Sequence, residues 1–216
     1  MFIHESVDLA QLKRKNTEEG RRYETPSGAL YPSVTTILSH KSKPFIQAWR
    51  KRIGEKEADK ISSRAARRGT KIHHLVEQHL NNETEKEQEG ILTLDYIDKE
   101  MYFNMKDLLE DINNIRCLES TMYSDHLRLG GQVDCIAEYK GQLSVIDFKT
   151  STKRKTRSQC YNYFIQCSAY AIMFEEHTGI PINNCVILMT QQDDGPVVFT
   201  ATRAVSYTHL TLPTKA

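Results

Sequence analysis

The sequence predicts an α/β fold in which helices flank a β-sheet. Three observations predict it. Residues 133–139 and 142–150 are rich in β-branched and apolar residues, and Lys140-Gly141 joins them as a two-residue hairpin connection. Segments 44–81, 95–114 and 159–177 place apolar residues at helical spacing. Residues 184–191 and 197–201 make a second strand pair across Asp193-Asp194-Gly195-Pro196. A chain of 216 residues is enough for one domain with a sizeable core.

Composition narrows the function classes. The net charge is +1, so no global basic field is present and any affinity for a polyanion must come from local patches. The five cysteines (Cys117, Cys135, Cys160, Cys167 and Cys185) are scattered without a C-x-x-C pair. That argues against a zinc site or disulfide framework and fits a reducing, intracellular setting. No apolar run is long enough to span a membrane, and no signal-peptide core is present, so no membrane partner is expected.

Taken in order, residues 1–28 are polar and have little to bury. They read as a loose N-terminal arm, either solvated or basic. Ser33 suits the N-cap of a short helix. Pro44 suits a first helical position, and Phe45, Trp49 and Ile53 follow at helical spacing. Gly54 and Gly69 are expected to break this run. On the wheel for 72–80, Ile72, Leu75, Val76 and Leu80 form the apolar stripe, with His73 at its edge, His74 opposite and His79 within it. Residues 81–90 read as an acidic loop. Residues 95–114 read as a helix packed beside the sheet, and 115–124 as the first strand, carrying Glu119. Residues 159–177 read as a helix ended by Gly179 and Pro181. Residues 204–216 have no period of either kind and read as a non-native tail after a domain spanning 29–203.

The hairpin holds the chemistry. With Tyr139 facing Gln142, counting back sets Asp134 opposite Asp147, and Lys149 follows on the same face as Asp147. Two carboxylates that close repel unless a cation or a proton intervenes. Oxygen ligands with a gap between them suit Mg²⁺. The lysine beside them can orient or deprotonate a water, or offset charge on a phosphate. An exposed hairpin with a lysine salt bridge would use the same residues. The run Lys153-Arg154-Lys155-Thr156-Arg157 just beyond is either a phosphate-binding patch or an exposed loop.

Gly131-Gln132-Val133-Asp134, the glycine turn and Ile146-Asp147-Phe148-Lys149-Thr150-Ser151 together resemble the PD-(D/E)xK nuclease superfamily in its RecB-type branch. Gln166-Cys-Ser-Ala-Tyr170 matches the downstream Q-x-x-x-Y of that branch, and Gly69-Thr-Lys-Ile-His73 its upstream G-x-x-x-H. Residues 31–38, Tyr-Pro-Ser-Val-Thr-Thr-Ile-Leu, look like a segment of the mitochondrial genome maintenance exonucleases and related phage exonucleases. The resemblance implies a restriction-endonuclease-like core with a central mixed sheet. It implies Mg²⁺ held by Asp134, Asp147, the Phe148 carbonyl and His73, with Mn²⁺ able to substitute and Lys149 serving the attacking water. Ser33, Thr35, Gln166, Tyr170, Lys153 and Arg154 become the expected DNA contacts, and Glu119 a supporting acid behind the metal ligands.

No iron–sulfur cluster is expected, since the cysteines do not form the quartet some relatives use. The implied activity is an exonuclease on DNA with single-stranded ends, acting in replication, recombination or repair. Its expected setting is a bacterial or phage-infected cell, or a mitochondrion were a transit segment to precede these residues. A structure-specific endonuclease and a non-catalytic DNA-binding accessory protein remain the alternatives.

Overall fold

A computed structural model describes residues 1–203. The expected tail at 204–216 lies outside them. The fold is α/β: a mixed five-stranded sheet lies between helices, with a small antiparallel sheet beside it. Strands β4 (Ile112–Ser124), β5 (Leu129–Tyr139), β6 (Gln142–Ser151), β7 (Asn184–Gln191) and β8 (Gly195–Thr202) neighbour one another in that order. All pairs are antiparallel except β6–β7, which is parallel because helix α5 (Tyr161–Thr178) crosses between them. The hairpin register is as counted: Tyr139 faces Gln142, and Lys140 and Gly141 take φ of 52° and 76°, as a primed turn requires.

Alternation along β6 builds two cores. Val145 faces α5, joining Phe164, Cys167 and Ala171. Ile146 and Phe148 face the other way, toward α2 (Glu55–Leu80) and α4 (Tyr96–Leu109), joining Ile72, Leu75, Met101 and Met105. Asp147 and Lys149 share the parity of Val145 and continue that strand face beyond the core. A strand buried on both sides reads as a nearly continuous apolar run, as residues 145–148 do apart from Asp147.

Several expectations change. The loose arm expected for 1–28 is instead paired: β1 (Lys13–Thr17), β2 (Gly20–Glu24) and β3 (Leu30–Pro32) form an antiparallel sheet. Ahead of it, Ile3 and Glu5 exchange backbone hydrogen bonds with Ile115. Backbone pairing orders this segment with few apolar side chains, so hydrophobic periodicity does not reveal it. Ser33 caps not a short helix but the 20-residue α1 (Val34–Ile53), with Pro44 inside it rather than at its start. Gly54 separates α1 from α2 at a φ of 87°, whereas Gly69 continues through α2. A mid-helix glycine costs only about 1 kcal/mol, and tertiary packing offsets it.

The expected acidic loop at 81–90 contains the start of α3 (Thr84–Leu92). Glu87 on it is buried against His79, the Tyr102 hydroxyl and Lys106, so an acid anchors the helix where an apolar residue would be looked for. Finally α4 ends at Leu109, and Ile112 belongs to β4 rather than to a helix reaching 114.

Candidate active site

The site forms where the sheet opens. The β5–β6 ladder runs from Tyr139↔Gln142 to Cys135↔Ile146. The next step would pair Asp134 with Asp147, but the ladder stops, and the Phe148 N–H donates to the Asp134 carboxylate at 2.9 Å. On the other side, Leu118↔Cys135 and Ser120↔Val133 bracket the position where Glu119 faces Asp134. Three neighbouring strands thus bring Glu119, Asp134 and Asp147 to one level. Glu119 has a φ of 47°, an uncommon conformation for a residue with a side chain. The Gln132 amide holds it there, donating to its carbonyl and, at 2.9 Å, to its carboxylate.

His73 reaches this row from α2. Its Nε2 donates to the Phe148 carbonyl at 2.7 Å, because a carbonyl can only accept. The other ring nitrogen, Nδ1, therefore faces Asp134 at 3.8 Å and Glu119 at 3.9 Å. Lys149 Nζ lies 2.5 Å from Asp147, 3.9 Å from Asp134 and 3.2 Å from the Phe148 carbonyl. Tyr163 on α5 puts its ring 5.2 Å from the same ammonium. Gln166 donates to the other Asp147 oxygen at 3.2 Å. Tyr170 is buried beside Gly131, where a Cβ would sit 2.5 Å from its ring. The glycine is what lets helix α5 approach.

Electrostatics follow from this geometry. Burial pushes the Asp147 carboxyl up, to about 6, with Lys149 offsetting part of the rise and Asp134 adding to it. Burial opposes charge on His73, but Asp134 and Glu119 outweigh it and hold the imidazole above its ordinary range. Burial likewise opposes charge on Lys149, yet Asp147 and Asp134 prevail and keep it a firmly held ammonium. Burial raises Glu119, and the neighbouring His73 draws it partly back.

The donor set fits a hard divalent cation. Atoms of His73, Glu119 and Asp134 lie within 4.8 Å of one another. Asp147 Oδ2 is buried without an aligned hydrogen-bond donor, although the Lys149 ammonium is close. Carboxylates with one imidazole suit Mg²⁺ or Mn²⁺. Phe148 offers its carbonyl at this point, where His73 and Lys149 now occupy it.

The expected residues do not all meet here. Asp134, Lys149, Gln166, Tyr170, Ser33 and Thr35 line one cavity of about 400 Å³ together with Glu119. His73 lies on the neighbouring side of Glu119. Lys153 lines a separate groove with Arg52 and Arg64, and Arg154 pairs with Asp194 at 3.3 Å. Sequence reasoning passed over Arg21, Tyr23, Gln132 and Tyr163, which also line the first cavity beside Glu119. The available signal for Arg21 and Tyr23 was their two-residue spacing after Gly20, which puts both on one strand face.

A family model for the PD-(D/E)XK nuclease superfamily matches residues 45–198. The chain is similar to mitochondrial genome maintenance exonuclease 1 of Homo sapiens, 31% identical over 176 residues, which are 76% of this chain and 50% of that protein. The Mus musculus protein of the same name is 29% identical over 182 residues, 76% of this chain and 51% of that one. The chain thus spans about half the length of these curated relatives. A crystal structure of a candidate exonuclease from Eubacterium rectale superposes with a TM-score of 0.43 at 8% identity, over 66% of this chain and 63% of that one, too distant a likeness to bear on the site.

Proposed function

Because the chain belongs to the PD-(D/E)XK nuclease superfamily, we propose that it is a Mg²⁺-dependent exonuclease that hydrolyses DNA phosphodiester bonds from single-stranded ends. The observation that carries this reading is the convergence of Glu119, Asp134 and Asp147 with His73 and Lys149 at the open end of the β5–β6 ladder. The exonuclease assignment of the curated relatives supports the choice of end-directed cleavage.

His73, Asp134 and Asp147 hold the cation, with Glu119 beside them and the Phe148 carbonyl available. When bound, the ion would supply a Lewis acid for the phosphoryl oxygen and would make the attacking water more acidic. Held charged by Asp147, Lys149 acts as a donor: it orients the attacking water and offsets charge growing on the phosphate. Gln166 fixes the Asp147 carboxylate, and Tyr163 covers the lysine. The Ser33 and Thr35 hydroxyls, on the same cavity wall, receive the backbone of the strand. Replication, recombination or repair is the setting this chemistry suits.

A cleavage assay tests the reading, on end-labelled linear single strands, duplexes and circular single strands, with Mg²⁺, Mn²⁺ or EDTA. The wild type should degrade linear single strands with either ion and not with EDTA. Lys149→Ala should lose about 10²–10⁴-fold in rate while remaining folded. Cutting of circles would replace the exonuclease reading with an endonuclease. DNA binding without metal-dependent cleavage would sink the catalytic reading.

A further inference from the structure

We propose that Arg21, on the N-terminal hairpin, grips a DNA phosphate next to the one being cut, making the hairpin a working wall of the active site. This rests on the nuclease reading above. Arg21 lines the same cavity as Glu119, Asp134 and Lys149, beside Ser33 and Thr35.

The charge balance of that cavity calls for such a group. Glu119 and Asp134 repel a phosphate, and the Lys149 ammonium, held by Asp147 at 2.5 Å, is taken up by the phosphate being cut and leaves its neighbour without a cation. Among the described residues no carboxylate lies within ion-pair distance of the Arg21 guanidinium, whereas neighbouring Arg22 pairs with Glu19. An exposed, unpaired guanidinium with fork geometry matches a phosphate.

The hairpin is anchored to aim it. The Arg21 carbonyl accepts from Ser33 N–H at 2.8 Å, and its own N–H donates to Thr36 Oγ1 at 3.2 Å, so the backbone is tied to the start of α1. Two residues on, Tyr23 is 1% exposed and wedged against Gly130, where a Cβ would lie 2.8 Å from its own. The backbone and Tyr23 do the structural work, which leaves the Arg21 side chain free for a ligand.

The test is fluorescence anisotropy with a labelled single-stranded oligonucleotide across a salt series in EDTA, comparing wild type, Arg21→Gln, Arg21→Lys and Lys140→Gln at the far hairpin turn. One lost phosphate contact lowers the slope of log Kd against log salt by about 0.7. Arg21→Gln should show that loss with about fivefold or greater weakening at low salt, a raised KM and a nearly unchanged kcat. Arg21→Lys should keep the slope and recover only part of the affinity, and Lys140→Gln should match wild type.

Moving a single neutral methylphosphonate along the oligonucleotide should reveal one linkage that weakens wild type but not Arg21→Gln. If wild type binds and cleaves while Arg21→Gln matches it in Kd and slope, this inference alone is overturned. A wild type that cleaves nothing with Mg²⁺ removes the nuclease reading, and one that binds no DNA removes both.

Discussion

His73 and Asp147 are both held above their ordinary pKa values, so the metal-free fold binds these protons more tightly than the unfolded chain does. Stability must then fall as pH rises while the unfolded groups are losing protons that the fold retains. For Asp147 that window runs from the ordinary value of 3.8 to about 6 in the fold, and for His73 it begins at 6.5. Thermal melts in EDTA should therefore show these two groups lowering Tm from about pH 4 to about pH 6, and again above about pH 6.5. Asp147→Asn should flatten the lower part of that fall, and an unchanged slope would show that Asp147 is not strained by burial. The two Asp residues and the lysine could be read from a two-residue period and a turn. Glu119 could not, because its place in the row goes with a backbone conformation at φ 47° and with hydrogen bonds from Gln132 on the neighbouring strand.

The elements show the same division. Strands β5 and β6 were legible because a primed turn and an apolar alternation agree on one register. The β1–β2 hairpin was not, since a polar sequence hides a ladder whose partner is backbone. Helix α3 was hidden by its own acidity: Glu87 is buried only because His79, Tyr102 and Lys106 arrive from two other helices. Gly131 is the position where element packing and site meet. Gly131→Ala would drive a methyl to 2.5 Å from the Tyr170 ring, so α5 must shift or Tyr170 must turn out of the cavity. A destabilisation of about 1–3 kcal/mol is expected from overpacking. Denaturant unfolding would measure it, and an unchanged midpoint would mean that α5 adapts freely.

At the scale of the molecule, the sheet is a scaffold that gathers charge. Acids from three strands, an imidazole from α2 and an ammonium from β6 stand together there, an excess of acid that a bound cation would offset. A divalent ion that binds only the folded chain should stabilise it by about 2.7 kcal/mol at one hundred times its Kd. Mg²⁺ or Mn²⁺ titrated into metal-free protein should accordingly raise Tm by several degrees at pH 7. His73→Ala or Asp134→Asn should lose most of that rise while keeping the EDTA Tm near wild type or above it. A rise that persists in both variants would locate the ion elsewhere.

The sequence by itself determined the α/β class, the hairpin register and the closeness of Asp134, Asp147 and Lys149 at one end of that hairpin. It could do so because periods of 2 and 3.6 residues and a two-residue turn are local properties of the chain. Only the tertiary structure decided that Glu119 completes the row, that Gln166 holds Asp147, that Lys153 faces a different groove and that the N-terminal hairpin walls the cavity. Those depend on where the β5–β6 ladder opens and on which distant segment packs there. No local period encodes either.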